Sequence, residues 1–270
     1  MNAKPSIHWE ERGHGSPLLC LAGFGNAHWV FDHLAEHLGN HFRLILPDNR
    51  GMGRSPPALL PYELHDLAND SLALMNHLGH KRFAVMGLSM GGFIAQLLTL
   101  AAPDQVERLL LLCTSSGGAD FREIFPMPSA NQVQSLYQLN PEEQVRAALS
   151  PLVMPILPRY PEVFDYLMQQ RTRAAEKPDQ ILLQFLAVAH FMEQTLPLET
   201  IRCPTLLLSG DQDPIVPPAN THRLGERLPN ARIHIFEETD HLFFLEKTAE
   251  VATVITGFLT APAMGNAAIL

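Results

Sequence analysis

"VMGLSMGGF", Val85 to Phe93, is the stretch on which the fold of this chain is decided. A strand of apolar character runs from Arg82 to Met86, and a helix with apolar spacing starts near Gly91 and stops at Pro103. Only Gly-Leu-Ser-Met-Gly lies between them. Glycines on either side allow a turn so sharp that Ser89, in the middle, is held in a strained conformation with its side chain above the sheet. The helix N-terminus behind it adds partial positive charge. Ser89 is therefore a candidate nucleophile, and the plain alternative is a solvated serine in a structural turn.

A serine hydroxyl is nearly inert at neutral pH unless a histidine takes its proton, an acid orients that histidine, and donors receive the developing oxyanion. "GDQDPIVP" places Asp211 and Asp213 directly after a later buried strand. Asp213 is preferred as the orienting acid, because Asp211 follows the strand-ending Gly210 and is explained as a turn-forming carboxylate. "EETDHLFFLEK" puts His241 in the loop between the last strand and the last helix. The order along the chain is then Ser89, Asp213, His241, the order expected of one particular fold. Gly23-Phe24-Gly25, ending an early strand, can turn amides inward, so the backbone N–H groups of Phe24 and Met90 are the candidate oxyanion donors. His190 reads as a packed residue of an apolar helix, and His28 as a helix-start residue or one at the pocket mouth.

Around this centre strands and helices alternate. "SIHWEE" and "PLLCLAG" read as two strands joined by a hairpin-type connection, "RGHGS". "FRLILPD", "VERLLLLCT", "PTLLLSG" and "ARIHIFE" are further strands, with helical patterns between them. Such alternation implies an α/β fold, a mostly parallel twisted sheet flanked by helices, with ligand chemistry at the carboxyl ends of the strands. From 118 to 197 the pattern changes to helical pieces broken by prolines, which reads as a helical cap inserted in a core made of 1–117 and 198–260. Residues 261–270 read as a mobile C-terminal tail.

Composition narrows the function. A length of 270 residues suits one α/β domain with an insertion, and no apolar run approaches the ~20 residues that span a bilayer. The net charge is −9 with basic residues scattered, which disfavours nucleic acid as a partner. The N-terminus lacks the apolar segment of a secretory signal, so a cytoplasmic protein with no membrane partner is expected. Cys20, Cys113 and Cys203 suit reduced core thiols. The thirteen histidines form no metal-binding spacing, so neither metal nor cofactor is expected.

Together "LAGFGNAHW", "DNRGMGRS", "GLSMGG", "GDQDPIVP" and "DHLFFLEK" resemble the α/β-hydrolase superfamily over nearly the whole chain, and within it the small esterase and enol-lactonase group. The resemblance implies Ser89 as nucleophile, His241 as general base, Asp213 as its partner, and Phe24 and Met90 as amide donors. It also implies that Asp48 and Arg50 fix the "DNRGMGRS" turn structurally. One departure is that the oxyanion loop, which commonly opens His-Gly, here opens Ala22-Gly23, so a bracing histidine is missing.

The expected partner is a small-molecule acyl substrate: a small or medium, mainly apolar ester, lactone or thioester. Carbon–carbon bond hydrolysis of a vinylogous diketone, a cofactor-free perhydrolase or haloperoxidase, and a non-catalytic ligand-binding protein are the alternatives. Met127, Met154, Leu157, Phe164, Met168, Phe185, Phe191 and Met192 make the cap apolar, most of them as packing. Arg159, Arg171 and Arg173 read as a solvated face, with binding of a substrate carboxylate as the other possibility. Oligomeric state is not encoded in any motif.

Overall fold

A computed structural model of the chain describes residues 5–124, 127–151, 153–173 and 176–262. Seven strands, β1 (Trp9–Gly13), β2 (Ser16–Leu21), β3 (Phe42–Pro47), β4 (Phe83–Leu88), β5 (Val106–Leu112), β6 (Thr205–Gly210) and β7 (Ala231–Phe236), form one sheet in the order β1-β3-β2-β4-β5-β6-β7. All neighbours pair parallel except β1 with β3. "LLCL", "LILP" and "LLLL" are buried because helices cover both faces, and such strands need continuous apolar runs.

The hairpin expected between the first two strands does not form. Both pair with β3, on its opposite edges. The connection passes over the turn that leads into β3, where the His14 N–H donates to the Gly39 carbonyl at 3.3 Å. The physical reason is that β3, apolar on both faces, satisfies its backbone groups on two sides, while the half-exposed β1 is suited to an edge.

Eleven α-helices are described: α1 (Asp32–Leu38), α2 (Leu64–His77), α3 (Met90–Ala101), α4 (Ala119–Arg122), α5 (Ala130–Tyr137), α6 (Pro141–Ala148), α7 (Pro161–Arg173), α8 (Pro178–Met192), α9 (Ala219–Arg227), α10 (Phe243–Glu246) and α11 (Thr248–Thr260). Helices α4 to α8 all fall between β5 and β6, where no strand occurs among the described residues. Three of the prolines in this region start helices: Pro141, Pro161 and Pro178 occupy first turns, where the missing N–H costs nothing. Asn140 and Ser129 cap α6 and α5 by accepting from Glu143 N at 3.0 Å and Gln132 N at 3.3 Å.

Cap and core share packing. Phe191 of α8 stacks on Phe93 of α3 with ring centroids 4.7 Å apart, and Met192 is buried beside them. His190, by contrast, is exposed and 3.5 Å from Glu63, because it lies on the outer face of α8. That corrects the expectation of a packed histidine. No helix among the described residues is long and apolar enough to cross a membrane. Most of the segment expected as a tail, 263–270, lies outside the described residues.

Candidate active site

Ser89 links β4 directly to α3 and adopts φ 52°, ψ −118°. A non-glycine residue held there stores about 1–3 kcal/mol of strain, which the surroundings must enforce. They do so from three sides. The Ser89 N–H donates to Leu112 O at 2.8 Å, its carbonyl accepts from Gly92 N at 2.8 Å, and Thr114 Oγ1 donates to the same carbonyl at 2.6 Å. Gly91 is required because a Cβ there would run into the Leu21 carbonyl, so α3 reaches the end of β2 only with glycine at that point.

The loop after β2 lies against this turn. A Cβ on Gly23 would stand 3.3 Å from Ser89 Cβ, which shows how closely the loop approaches the serine. Gly25 turns it at φ 62°, and its N–H donates to Gln184 Oε1 of α8 at 2.8 Å. Asn26 closes the loop on itself, with Nδ2 donating to the Phe24 carbonyl at 2.9 Å and its N–H to the Gly23 carbonyl at 3.2 Å. Among the described residues the Phe24 N–H has no acceptor. The Met90 N–H opens α3 and so has no acceptor within the helix.

A histidine is anchored at the far end of this loop. His28 N–H and His28 Nδ1 both meet Asp48 Oδ1, at 2.8 and 2.7 Å, and His28 Nε2 lies 3.2 Å from Glu10 Oε1. Held between two carboxylates, His28 has its pKa raised despite the opposing effect of burial. It ties the far end of the loop after β2 to the end of β3 and is not among the residues lining the cavity. Asp48 also accepts from His8 Nδ1 and Arg54 N, whereas Arg50 turns away to pair with Asp70 of α2 through two 2.8 Å hydrogen bonds.

His241, in the loop between β7 and α10, places Nδ1 2.7 Å from Asp213 Oδ2. The other Asp213 oxygen accepts the N–H groups of Ile215 and Val216 at 2.8 and 2.9 Å, which fixes the carboxylate. Asp211 points elsewhere and accepts Thr239 N at 3.2 Å. Burial disfavours a charged His241, but the Asp213 charge and hydrogen bond outweigh it, so its pKa stands well above the usual histidine value. The fully buried Cys113, at φ 39° after β5, also lies beside this pair.

Among the described residues, two trios bring atoms capable of binding a metal within 4.8 Å of one another: His8, His28 and Asp48, and Cys113, Asp213 and His241. In each, the carboxylate is already taken up by hydrogen bonds to histidine and backbone, which account for the grouping without an ion.

Ser89 and His241 open onto one cavity of about 410 Å³. Its floor includes Gly23, Phe24, Asn26, Leu88, Ile215, Leu242 and Phe244, and its roof is built from Val133, Leu136, Tyr137, Ala148, Met154 and Leu167 of the cap. Of the eight apolar cap residues named from sequence, Met154 alone is among the lining residues, since Leu157, Phe185, Phe191 and Met192 are consumed by packing. Arg171 also lines the cavity, which corrects its assignment to a solvated face. Gln184 was missed as a site-shaping residue because a lone polar residue in the apolar helix α8 carries no spacing signal, whereas Arg171 was named from sequence both as a solvated residue and as a possible carboxylate binder.

The histidine loop is latched to the cap. Asp240 Oδ2 accepts Ile156 N at 3.0 Å and Oδ1 accepts Leu242 N at 3.0 Å, while Glu246 Oε2 accepts Asp240 N at 3.2 Å. Burial first, then the neighbouring Asp240 charge, pushes the Glu246 pKa up to about 8. Since the folded value exceeds the unfolded one near 4.5, this group's stabilising contribution is complete below pH ~4.5 and is lost as pH rises through about 8. Glu246→Gln keeps a side-chain oxygen able to accept the Asp240 N–H and cannot become charged. Its stability advantage over the wild type is expected to grow from near zero at pH 4.5 to on the order of 2–4 kcal/mol above pH 8, measured by urea unfolding at several pH values. An advantage constant across that range would contradict the assignment.

Comparison with known proteins agrees with this architecture. A poly(3-hydroxyalkanoate) depolymerase of Ectopseudomonas oleovorans is 28% identical over 258 residues, covering 91% of this chain and 85% of that protein. A 2-hydroxy-6-oxo-6-phenylhexa-2,4-dienoate hydrolase of Comamonas testosteroni is 26% identical over 268 residues, covering 94% and 91%. Among solved structures, a thermophilic esterase from Thermogutta terrifontis superimposes with a TM-score of 0.80 at 25% identity, over 94% of this chain and 92% of that one. The family model for the alpha/beta hydrolase fold matches residues 16–248, and the chain belongs to that family.

Proposed function

We propose that the protein is a serine hydrolase that cleaves a small or medium, mainly apolar carboxylic ester, lactone or thioester through an acyl-enzyme on Ser89. The observation that carries this reading is the His241–Asp213 hydrogen bond of 2.7 Å at the edge of a cavity that Ser89 also lines. In the proposed reaction His241 takes the Ser89 proton as Oγ attacks the acyl carbonyl. The Phe24 and Met90 N–H groups receive the oxyanion, each worth about 3 kcal/mol in the transition state. The C–O or C–S bond then breaks, and His241 protonates the leaving alcohol or thiol. Water, deprotonated by the same imidazole, attacks the acyl-enzyme and releases the acid and Ser89. The Asp213 carboxylate holds His241 with Nδ1–H towards it.

Esterase and depolymerase relatives support ester cleavage. Carbon–carbon bond hydrolysis is the second reading, favoured by similarity to the dienoate hydrolase. A p-nitrophenyl ester series of increasing chain length, set beside a vinylogous 1,5-diketone, separates the two. Ester turnover is expected, with kcat/KM rising with pH through an inflection above 6.5, because only neutral His241 acts as base and its pKa is raised. Turnover of the diketone with no short ester cleaved would favour the second reading, and an inflection below 6.5 would contradict the role of Asp213.

A further inference from the structure

Arg171 projects from α7 into the cavity that Ser89 and His241 share. Its Nη2 donates to Asn26 Oδ1 at 3.3 Å, a long contact with a neutral acceptor. Its Nε is sealed from solvent and has no hydrogen-bond partner, and no ion pair involves this guanidinium among the described residues. The other arginines of the cap behave differently: Arg122, Arg146, Arg159 and Arg173 are all exposed, and Arg122 and Arg146 pair with Glu193 and Glu142.

A guanidinium offers five N–H donors and cannot shed its charge in a protein, so a half-buried one whose Nε is sealed off without an acceptor, beside a mainly apolar cavity, carries a cost that a ligand could relieve. Burial accordingly pushes the Arg171 pKa down, the neighbouring Tyr137 opposing only weakly. On its other side Arg171 borders a smaller pocket with Tyr137 and Glu176, but among the described residues it makes no hydrogen bond or ion pair with either. Leu136, Leu167 and Ala148 line the same roof, where an apolar side chain would pack without penalty. The connection to the chemistry is short: Arg171 contacts Asn26, and Asn26 donates to the carbonyl of Phe24 in the oxyanion loop.

Resting on the serine-hydrolase reading above, we infer that Arg171 is a specificity-determining residue that receives a carboxylate on the substrate, remote from the bond being cleaved. The substrate class is then an acyl ester, lactone or thioester with an apolar body and one anionic end. The apolar walls take the body, and the planar fork pairs the carboxylate oxygens in the bidentate manner for which arginine is suited.

The test compares mono-p-nitrophenyl esters of succinate, glutarate and adipate with neutral p-nitrophenyl esters of the same chain lengths. For at least one length, Arg171→Met is expected to lower the ratio of kcat/KM for the carboxylate ester over its neutral match by about 30- to 100-fold. Arg171→Lys, which keeps a point charge without the fork, is expected to lower it by a smaller factor, and serves alone if the methionine variant does not fold. An unchanged ratio at every length, with ester turnover intact in the wild type, would overturn the inference and leave Arg171 a support for Asn26. If no ester of either kind is cleaved, titration of glutarate into the wild type and Arg171→Met by calorimetry separates the two claims. Binding lost in the variant keeps the anion site while the hydrolase reading fails, and equal or absent binding in both removes the anion site as well.

Discussion

Replacing Ser89 with alanine is expected to lower kcat for p-nitrophenyl ester hydrolysis by about 10⁴- to 10⁶-fold. Among the described residues that line the cavity there is no other serine, threonine or cysteine. Thr114 lies beside Ser89, but its hydroxyl is committed to the Ser89 carbonyl at 2.6 Å. Cys113 is fully buried, and burial pushes its thiol pKa up, which leaves little thiolate. The substitution should leave the fold intact, because the Ser89 backbone bonds to Leu112 and Gly92 remain available and the positive φ is equally strained for alanine. Steady-state kinetics with a melting curve for each protein checks both halves. A loss under tenfold in a folded variant would mean that the turn is scaffold.

The second large effect concerns the two aspartates after β6. Asp213→Asn is expected to cost about 10⁴-fold in kcat, since the amide in place of Oδ2 can turn an N–H towards Nδ1 and stabilise the wrong imidazole tautomer. Removing the carboxylate should also move the pH inflection of kcat/KM downward, because the Asp213 charge is what raises the His241 pKa against burial. Asp211→Asn keeps an oxygen able to accept from Thr239 N and should change kcat by less than threefold. Equal losses in the two variants, or a larger one at Asp211, would reverse the assignment of the acid.

What could be read from sequence and what could not divide along the range of the interactions. The strand–turn–helix at Ser89 is written in consecutive residues: an apolar run, glycines at 87, 91 and 92, and a helical period. The same holds for the parallel sheet, whose strands are short apolar runs buried on both faces. The preference for Asp213 over Asp211 as the orienting acid rested on the turn chemistry around Gly210, and the geometry puts the Asp213 carboxylate, not that of Asp211, on His241. Pairing partners were less legible. β1 and β2 are adjacent in the chain, yet β3 stands between them, because strand order is settled by which edges need covering and not by connection length.

Side-chain contacts across long separations were illegible. Gln184 reaches the Gly25 N–H across 159 positions, and Arg171 reaches Asn26 across 145. Neither has a periodic or motif signature. The brace at His28 was within reach of the sequence, since Asp48 was already identified as fixing its turn, but nothing local says that its carboxylate would hold two histidines. Helix faces were misassigned at His190 and Arg171 in opposite directions, one expected inside and found exposed, the other expected in solvent and found lining the cavity. In the cap, short helices pack by shape on several neighbours, and an apolar stripe there does not say which side faces substrate.

Everything proposed for the site depends on Ser89 being activated, and that is measured most directly by covalent trapping. The wild-type protein, treated with a serine-directed fluorophosphonate and digested, is predicted to carry the added mass on the peptide containing Ser89. Ser89→Ala should carry none, and Asp213→Asn should label far more slowly. A folded wild type that is not modified, or modification that persists undiminished in Ser89→Ala, would contradict the account.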